Sequence, residues 1–374
     1  MPQPISKAKK RLGKLLWHRH FSEEQLNKYI GYFRKGYLTY SSDPDIRQYA
    51  ASGGSVTTLL VYLLESKQID GALVCDTVIV DGKVRPKFII AQTRDEIIKA
   101  QGSKYSAVYF SNSALPLLRD FDGRLAVVAL PCDARILRSY RLKNPEFDAK
   151  IKTVIALFCG HNSESELTDW TTKKLGKEHG QLTEYTYRFG HWRGKLQATF
   201  EDGVTVTKPF SYFSDYRNVY FFAQKKCHHC FDHFGYFCDI SAGDVWSPQM
   251  KNMPHKHTAL IARSEFGQEL IDNAIVSGML IGEEESVYNI ANGQARTMPF
   301  HYNVSSRSRA GRWLGIKIKD TTKEKVHWND FLVAIMALVN ERLSRASIGG
   351  RFVKLLPRPL IKLYLYFLKA LESF

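Results

Sequence analysis

Long apolar segments are missing from this 374-residue sequence. No run of eighteen or more uninterrupted apolar residues occurs, so the sequence predicts no simple membrane-spanning helix. The first four residues lead into a Lys/Arg cluster with no apolar run behind it, and we therefore expect no secretory signal peptide. Together these two absences predict a cytoplasmic protein.

Cysteine is also scarce. Six cysteines are too few for a secreted scaffold held by disulfides, and in the cytoplasm thiols stay reduced and available to metals. Three of them, Cys227, Cys230 and Cys238, share one short loop with three histidines. The C-x-x-C spacing of the first two lets both sulfurs turn toward one soft metal. Free thiols packed as small apolar side chains are the alternative. From this loop alone, a structural zinc ion and an iron–sulfur cluster fit equally well.

Acidic residues are scarce at both ends of the chain. Residues 1–36 carry nine Lys/Arg and two acids, and residues 303–374 carry fourteen Lys/Arg and five acids, which accounts for the whole net charge of +16. The neutral region between them argues against a nucleic-acid groove in the core. Basic ends suit contact with a membrane, an acidic partner or polyphosphate, although solvated basic tails explain them equally well.

The apolar patterns that are present predict a mixed α/β fold. Strands and helices alternate up to about residue 175, and Asp81-Gly82 predicts a tight hairpin between two β-branched runs. From residue 183 the chain becomes β-rich and leads into the Cys loop. Residues 303–325 are polar and basic with little periodicity, and helices follow. We predict a central sheet with flanking helices, a β-rich insertion that carries the Cys loop, and a helical C-terminal extension.

Two further cysteines stand at equivalent places in consecutive strand–helix units. Cys132 follows one buried strand and Cys159 follows the next. In open α/β sheets, ligands bind outside the carboxyl ends of the strands. Together with Cys227 and Cys230, these two thiols give the four soft ligands that a [4Fe–4S] cluster needs.

Two glycine-containing turns precede helices and are candidates for cofactor contacts. Ser52, Gly53 and Gly54 form a turn whose backbone N–H groups can cradle a phosphate. A second turn offers N–H groups, a hydroxyl, a cation and an aromatic ring together, from Gly102, Ser103, Lys104 and Tyr105. That set suits a cofactor with a phosphate and an aromatic ring, although helix capping alone explains the glycines and serines.

In this order, the landmarks resemble the coenzyme F420 hydrogenase/dehydrogenase beta-subunit family. The matching pieces span roughly residues 48–280: Ser52-Gly53-Gly54, Gly102-Ser103-Lys104-Tyr105, Pro131-Cys132, Phe158-Cys159-Gly160, Cys227-x-x-Cys230-x-Asp232 and Asp239-Ile240-Ser241-Ala242-Gly243-Asp244. The resemblance implies an FAD-binding α/β oxidoreductase with a [4Fe–4S] cluster beside the flavin. It would pass electrons between cluster and flavin, and hydride between flavin and a substrate such as reduced coenzyme F420.

The resemblance also implies which residues hold the two cofactors. The expected metal ligands are Cys132, Cys159, Cys227 and Cys230, with Cys238 as a fifth candidate. The expected FAD contacts are Ser52, Gly53, Gly54, Gly102, Ser103, Lys104 and Tyr105. The rival hypothesis is a non-catalytic zinc protein in which the loop from Cys227 to Cys238 forms a closed tetrahedral site with a nearby histidine. That hypothesis leaves the strand-end cysteines unexplained.

The sequence departs from the family in ways that bear on its partners. Residues 1–48 contain no Cys and so lack the ferredoxin-like cassette of some relatives. We therefore expect an external protein as electron donor or acceptor, besides a small-molecule substrate. Relatives without the cassette also occur among polysaccharide-synthesis proteins, which gives polysaccharide-related metabolism as a second setting. The expected regions are a basic helical segment at 1–47, the oxidoreductase domain at 48–300, and a basic linker with amphipathic helices at 301–374.

The last helical stretch, Leu360 to Leu371, is apolar over most of its surface. Its twelve or so residues reach roughly 18 Å, which is short of the ~30 Å hydrocarbon core of a bilayer. It suits an interfacial position on an anionic membrane, with nearby basic residues contacting lipid head groups. We therefore predict a peripheral membrane location as an addition to the cytoplasmic one. Packing of this helix against the protein's own core is the alternative.

Overall fold

The structure is a computed structural model that describes residues 21–191, 194–246, 250, 252–295 and 297–373. The predicted helical character of the basic segment before residue 21 lies outside the described residues. The strands are β1 (Lys35–Ser41), β2 (Gly71–Val80), β3 (Lys83–Ala91), β4 (Leu125–Ala129), β5 (Ile151–Leu157), β6 (Leu182–Phe189), β7 (Lys195–Phe200), β8 (Thr205–Pro209), β9 (Ile240–Asp244), β10 (Thr258–Ala262) and β11 (Leu280–Glu284).

Helices connect these strands and cover the sheet. Those in the first half are α1 (Glu23–Ile30), α2 (Pro44–Tyr49), α3 (Ser55–Glu65), α4 (Arg94–Lys99), α5 (Phe110–Asp120), α6 (Pro131–Arg141), α7 (Pro145–Lys150) and α8 (Ser165–Leu175). The later ones are α9 (Ser211–Arg217), a 3₁₀ helix (Lys225–His229), α10 (Glu265–Val276), α11 (Val287–Gly293), α12 (Met298–Tyr302), α13 (Val304–Trp313), α14 (Trp328–Arg345), α15 (Ser347–Leu355) and α16 (Arg358–Ser373). Within the described part of the chain, no helix is both long and apolar enough to cross a bilayer.

The central sheet has eight strands in the order β11-β1-β10-β9-β5-β4-β2-β3. Its middle is parallel, because β2 pairs with β4, β4 with β5, and β5 with β9 in the same direction. Both edges are antiparallel. Strands β6, β7 and β8 form a separate antiparallel sheet ahead of the Cys loop. The predicted fold class, with its central sheet and β-rich insertion, is confirmed.

Alternating side chains explain why helices cover both faces of the central sheet. In β2, Ala72 and Val74 pack in the core that contains α3 and α10, whereas Leu73 packs in the core that contains α5 and α6. Successive strand residues point to opposite faces, so a strand that is apolar throughout must be buried on both sides. The predicted hairpin at Asp81 and Gly82 joins β2 to β3, and both residues have positive φ, as a two-residue type I′ turn requires.

The C-terminal region packs on the second sheet and differs from the sequence-based expectation at one point. Residues expected to form a polar linker instead form α13, in which Val304, Arg307 and Ala310 are buried. Helix α14 packs against α13, α15 and α16. The basic composition of α13 suggests a solvent-exposed segment, but Arg307 is buried. Its guanidinium donates hydrogen bonds to backbone carbonyls, which satisfies the buried polar group.

Candidate functional site

Four thiols gather at the carboxyl edge of the parallel strands. Cys132 lies in the first turn of α6 directly after β4, and Cys159 lies two residues after the end of β5. Cys227 is in the 3₁₀ helix and Cys230 ends it. Charge on Cys159 and Cys230 influences the pKa of Cys132, and charge on Cys227 and Cys230 influences that of Cys159. Such influence fades with distance, so the four side chains are neighbours.

Burial keeps these thiols protonated in the absence of a bound metal. It raises the pKa of Cys230 to about 11 and also raises the pKa of the Cys132, Cys159 and Cys227 thiols. Basic groups around the site act in the opposite direction. Lys226 lowers the pKa of Cys132, and it lies 3.9 Å from the Asp133 carboxylate. A metal favours the thiolate form, so binding would release protons from this cluster.

Backbone contacts hold the two strand-end segments against the Cys loop. The Cys159 N–H donates to the His233 carbonyl at 3.0 Å, and the His233 Nδ1 donates to the Cys159 carbonyl at 3.0 Å. The Asn162 N–H points at the Cys227 sulfur at 3.3 Å. An N–H donor to sulfur stabilises a thiolate, because the negative charge accepts the hydrogen bond.

Arg307 clamps the loop from the side of α13. It is 1 % exposed, its Nε donates to the His228 carbonyl at 2.7 Å, and its Nη2 donates to the Cys230 carbonyl at 2.6 Å. Its charge lowers the pKa of Cys230. Sequence reasoning missed this residue, since it lies in a stretch expected to be a linker. Lack of an apolar period there gave no signal of burial.

Cys238, the fifth candidate ligand, lies apart from the other four. Its sulfur donates to the Gly235 carbonyl at 3.2 Å and lies 3.4 Å from the Ser241 hydroxyl. It packs beside the apolar core that contains α6. Burial raises its pKa to about 11, and Arg263 and Ser241 act to lower it. The loop therefore gives Cys238 contacts that differ from those of the other four thiols.

The geometry of the loop bears on the rival zinc hypothesis. Among the residues that the structure describes, no three Cys, His, Asp or Glu side chains are placed to hold one metal ion. Both ring nitrogens of the buried His228 lack a hydrogen-bond partner, and burial lowers its pKa to about 3. A zinc ion requires four donors at about 2.0–2.3 Å. The separation of Cys238 leaves the rival hypothesis without one of its proposed donors.

The first candidate flavin segment is built into the sheet edge. The Ser52 hydroxyl donates to the His257 carbonyl at 2.6 Å, and the Gly53 N–H donates to the Thr258 hydroxyl at 2.9 Å. A Cβ on Gly53 would lie 2.5 Å from the Thr39 carbonyl oxygen. Gly54 has φ +84°, a left-handed conformation that favours glycine. Packing between β1, α3 and β10 therefore already requires both glycines.

The second candidate segment is stabilised by its own lysine. The Lys104 Nζ donates to the Gln101 carbonyl at 2.8 Å and to the Gly102 carbonyl at 3.2 Å. Burial lowers the pKa of Lys104 to about 8. The Tyr105 ring packs against Phe210 with 5.3 Å between ring centroids. Ser103 lies between Gly102 and Lys104 in the chain and is half-buried.

Arg188 joins the two segments, and sequence reasoning missed it. It is 4 % exposed in β6, forms an ion pair with Asp244 at 2.6 Å, and donates to the Ala51 carbonyl. Burial lowers the pKa of Arg188, but the Asp244 carboxylate outweighs this and the net shift is upward. The Arg188 guanidinium also lies over the Phe210 ring at 5.8 Å, and the same ring packs against Tyr105. In the sequence, the one feature that could have indicated a buried role for Arg188 is its position as an isolated arginine in a half-buried strand.

A small open cleft, with a cavity volume of about 30 Å³, lies beside Arg188. Its lining includes Ser52, Asp244, Lys256 and His257. The Lys256 Nζ donates to the Ala50 carbonyl, and burial lowers its pKa to about 8. Two cations and one carboxylate thus line this cleft, and the net positive charge suits an anionic group.

Asn162 and Arg217 connect the second flavin segment to the thiols. The Asn162 Nδ2 donates to the Ser106 carbonyl at 3.2 Å, while its N–H points at the Cys227 sulfur. The Arg217 guanidinium lies over the Tyr105 ring at 4.9 Å and lowers the pKa of Cys159 and Cys227. The second candidate flavin segment and the thiols are therefore neighbours. This adjacency depends on contacts between distant segments, which the sequence alone does not show.

Comparison with known proteins identifies the family that shares these features. The description "Coenzyme F420 hydrogenase/dehydrogenase, beta subunit N-term" matches residues 37–115, and the corresponding C-terminus description matches residues 122–286. Together these matches cover well over half of the chain. They include every thiol and glycine-turn candidate named above.

Curated relatives and a solved structure agree with that match. The chain is 28% identical over 260 residues to the coenzyme F420 hydrogenase subunit beta of Methanosarcina barkeri, covering 67% of this chain and 82% of the relative. It is 29% identical over 243 residues to the coenzyme F420-dependent sulfite reductase of Methanocaldococcus jannaschii, covering 60% and 34%. A chain of the F420-reducing [NiFe] hydrogenase complex from M. barkeri has the same fold, with a TM-score of 0.60, 22% identity, and 78% and 98% coverage.

Proposed function

Because the chain belongs to the coenzyme F420 hydrogenase/dehydrogenase beta-subunit family, we propose that it is an FAD- and [4Fe–4S]-dependent oxidoreductase. Its substrate is a hydride donor or acceptor such as reduced coenzyme F420, or another organic molecule, with polysaccharide-related metabolism as the second setting. The observation that carries the proposal is the contact of Asn162 with both candidate regions: its N–H points at the Cys227 sulfur, and its Nδ2 donates to the carbonyl of Ser106, which directly follows the Gly102–Tyr105 segment.

The thiol group fits an iron–sulfur cluster in number and chemistry. Cys132, Cys159, Cys227 and Cys230 are free thiols, and four thiolates are the usual ligand set. We propose these four residues as ligands, with Cys238 outside the set.

The side chains that line the cleft and the two turns supply charges and N–H groups of the kind that contact a flavin dinucleotide. Arg188 and Lys256 supply positive charge for the phosphates, beside the turn at Ser52, Gly53 and Gly54. The segment Gly102, Ser103, Lys104 and Tyr105 is connected to the thiols through Asn162 and Arg217, which supports a flavin next to the cluster. When bound, a flavin and a cluster together supply conversion between hydride, which carries two electrons, and single electrons. The chain's own part is to hold both groups close together and exclude water.

The proposal extends to an electron-transfer partner and to the regions of the chain. We propose a separate protein as electron donor or acceptor, and a cytoplasmic location. The relatives named above as subunits of a hydrogenase support a protein partner. We propose residues 48–300 as the oxidoreductase domain, flanked by the basic regions 1–47 and 301–374. Arg307 ties the last of these regions to the Cys loop.

Anaerobic purification with measurement of iron and FAD tests this function. We expect about four irons and one FAD per chain, absorption near about 400 nm, and reduction of a one-electron dye by reduced coenzyme F420. Cys159→Ser should lose most of the iron, because it removes one of four thiolates. Cys238→Ser is the matched control and should keep it, as should Cys75→Ser.

Each outcome separates the proposal from its rival. Colourless protein that contains zinc, with iron absent after anaerobic reconstitution, would favour the zinc hypothesis. Loss of iron in Cys238→Ser with retention in Cys159→Ser would show that the loop binds metal without the strand-end thiols. Full iron and FAD content without dye reduction would support the cofactor sites but not reduced coenzyme F420 as the substrate. It would favour another organic molecule as the substrate.

A further inference from the structure

The two last helices, α15 and α16, present an apolar surface to solvent. Six large apolar side chains are 54 to 82 % exposed there: Ile348, Phe352, Leu355, Leu360, Leu363 and Phe367. We call this set the outer face. Its members recur every three or four residues within each helix, so each helix shows one apolar stripe. Exposed apolar patches of this kind mark interaction sites.

The opposite side of the same helices belongs to the protein's core. Val353 of α15 and Ile361 of α16 are at most 1 % exposed and pack in one cluster with Phe213. Leu368 is fully buried in a neighbouring cluster. Because both helices direct their inner sides to one core, their outer sides face away from it together. Helices α15 and α16 therefore pack against the protein's own core on one side and expose an apolar stripe on the other.

The charge around the outer face is of one sign. Residues 346–371 contain five Lys/Arg and no Asp or Glu. Arg351 and Lys362 are exposed, whereas Arg358 and Lys369 contact Asp215 and Glu372. The outer face is therefore complementary to an anionic partner that also accepts apolar side chains. A second copy of the same face would bring like charges together.

The N-terminal segment of the chain does not complement this face either. Residues 1–20 carry six Lys/Arg and no acids in the sequence. Like charges oppose its docking on the outer face. Helix α16 has sixteen residues, or about 24 Å, which is less than the ~30 Å hydrocarbon thickness. Its length and charge suit a helix that lies in the bilayer interface.

We propose that the outer face of α15 and α16 docks onto an anionic lipid surface. The apolar side chains enter the boundary between head groups and acyl chains, and Arg351 and Lys362 contact the lipid phosphates. Such docking holds the oxidoreductase domain at the membrane surface. The inference is independent of the proposed cofactors, and its test reads lipid binding rather than activity.

Vesicle sedimentation with the full chain tests the inference. We expect binding to phosphatidylcholine vesicles with about one third phosphatidylglycerol, little binding to pure phosphatidylcholine, and weaker binding as salt rises. The variant Leu355→Ser/Leu363→Ser/Phe367→Ser should lower vesicle binding at least tenfold. The variant Arg351→Gln/Lys362→Gln should weaken it severalfold and reduce its salt dependence.

A matched control changes equally exposed apolar residues elsewhere. Leu142 and Val276 are 73 % and 87 % exposed on other helices or their ends, so Leu142→Ser/Val276→Ser should bind vesicles like wild type. Thermal unfolding of each variant confirms that it is folded. Equal binding of the outer-face variant and wild type overturns the proposal, as does failure of wild type to bind anionic vesicles at low salt. A wild-type dimer that the outer-face variant converts to a monomer, without vesicle binding, assigns the face to a second copy instead.

Discussion

Lys256 and Arg188 differ in how they respond to pH, although both border the same cleft. The Arg188 guanidinium stays charged, since Asp244 raises its pKa despite burial. Burial and the nearby charge of Arg188 together lower the pKa of Lys256 to about 8, although Asp244 acts to raise it. The positive charge that the cleft offers to a phosphate therefore falls within an accessible pH range.

We expect FAD affinity to weaken as pH rises from about 7 to about 9 in flavin-free protein titrated with FAD, by roughly five- to thirtyfold. Lys256→Met should bind FAD more weakly at the lower pH, and its FAD affinity should change less between the two pH values. Lys104, whose pKa is also lowered to about 8, accounts for the slope that remains. Lys83→Met, on the exposed start of β3, is the control. An unchanged slope in Lys256→Met would remove Lys256 from the FAD site.

The same lysine has the opposite effect on the stability of the flavin-free protein. Its pKa is about 8 when folded and 10.5 as a reference for the unfolded chain. Between these values the unfolded chain binds more protons, so the free energy of unfolding rises with pH. Binding and stability therefore change in opposite directions, which separates a local effect on FAD from general unfolding.

At the level of elements, the turn before α3 is fixed by close backbone contact. Gly53 approaches the Thr39 carbonyl of β1 and the Thr258 backbone nitrogen of β10, so a Cβ would lie 2.5 and 2.8 Å from them. Gly102 also has positive φ, at +88°, but a Cβ there would lie no closer than 3.7 Å to the Tyr49 carbonyl. The first glycine is required by packing and the second by backbone conformation.

This difference predicts unequal losses of stability. We expect Gly53→Ala to lower the free energy of unfolding by about 2–4 kcal/mol, because rigid backbone must move. Gly102→Ala should cost only about 1–2 kcal/mol, the penalty of a left-handed conformation. Gly278→Ala, with φ +76° and open space, is the control for that penalty. Denaturant unfolding measures all three, and equal losses for Gly53→Ala and Gly278→Ala would contradict the packing argument.

At the level of the whole molecule, the C-terminal helices complete the core around the second sheet. Val353 and Ile361 share a cluster with Phe213, and the Tyr216 hydroxyl donates to the Leu356 carbonyl at 3.0 Å. The Asn329 Nδ2 donates to the Leu371 carbonyl at 3.0 Å. The extension is therefore an integral part of the fold.

Removal of residues 346–374 should prevent stable folding. Burial of Val353, Ile361 and Leu368 contributes about 1.5–3 kcal/mol each, which together approaches the ~5–15 kcal/mol that stabilises a typical protein. We expect the truncated chain to aggregate or to lose its cooperative thermal transition. Circular dichroism with temperature measures this. A truncated chain that unfolds cooperatively near the wild-type temperature would show that the extension is dispensable for folding.

The sequence by itself determined the family, the mixed α/β class and the hairpin at Asp81 and Gly82. These follow from patterns within short segments: apolar periodicity, turn residues, and cysteines placed just after buried strands. It also identified Cys132, Cys159, Cys227 and Cys230 as a set, since adjacent parallel strands end at one edge. Short-range pattern is enough where neighbouring residues decide the conformation.

Only the tertiary structure decided which long-range contacts these patterns serve. It separated Cys238 from the other thiols, although it is only eight residues from Cys230, because the loop turns it toward Gly235 and Ser241. It brought Arg188 and Asn162 to the candidate site and buried Arg307 under the Cys loop. Such contacts join residues far apart in the chain, and their energies depend on burial and partner geometry that no local pattern encodes.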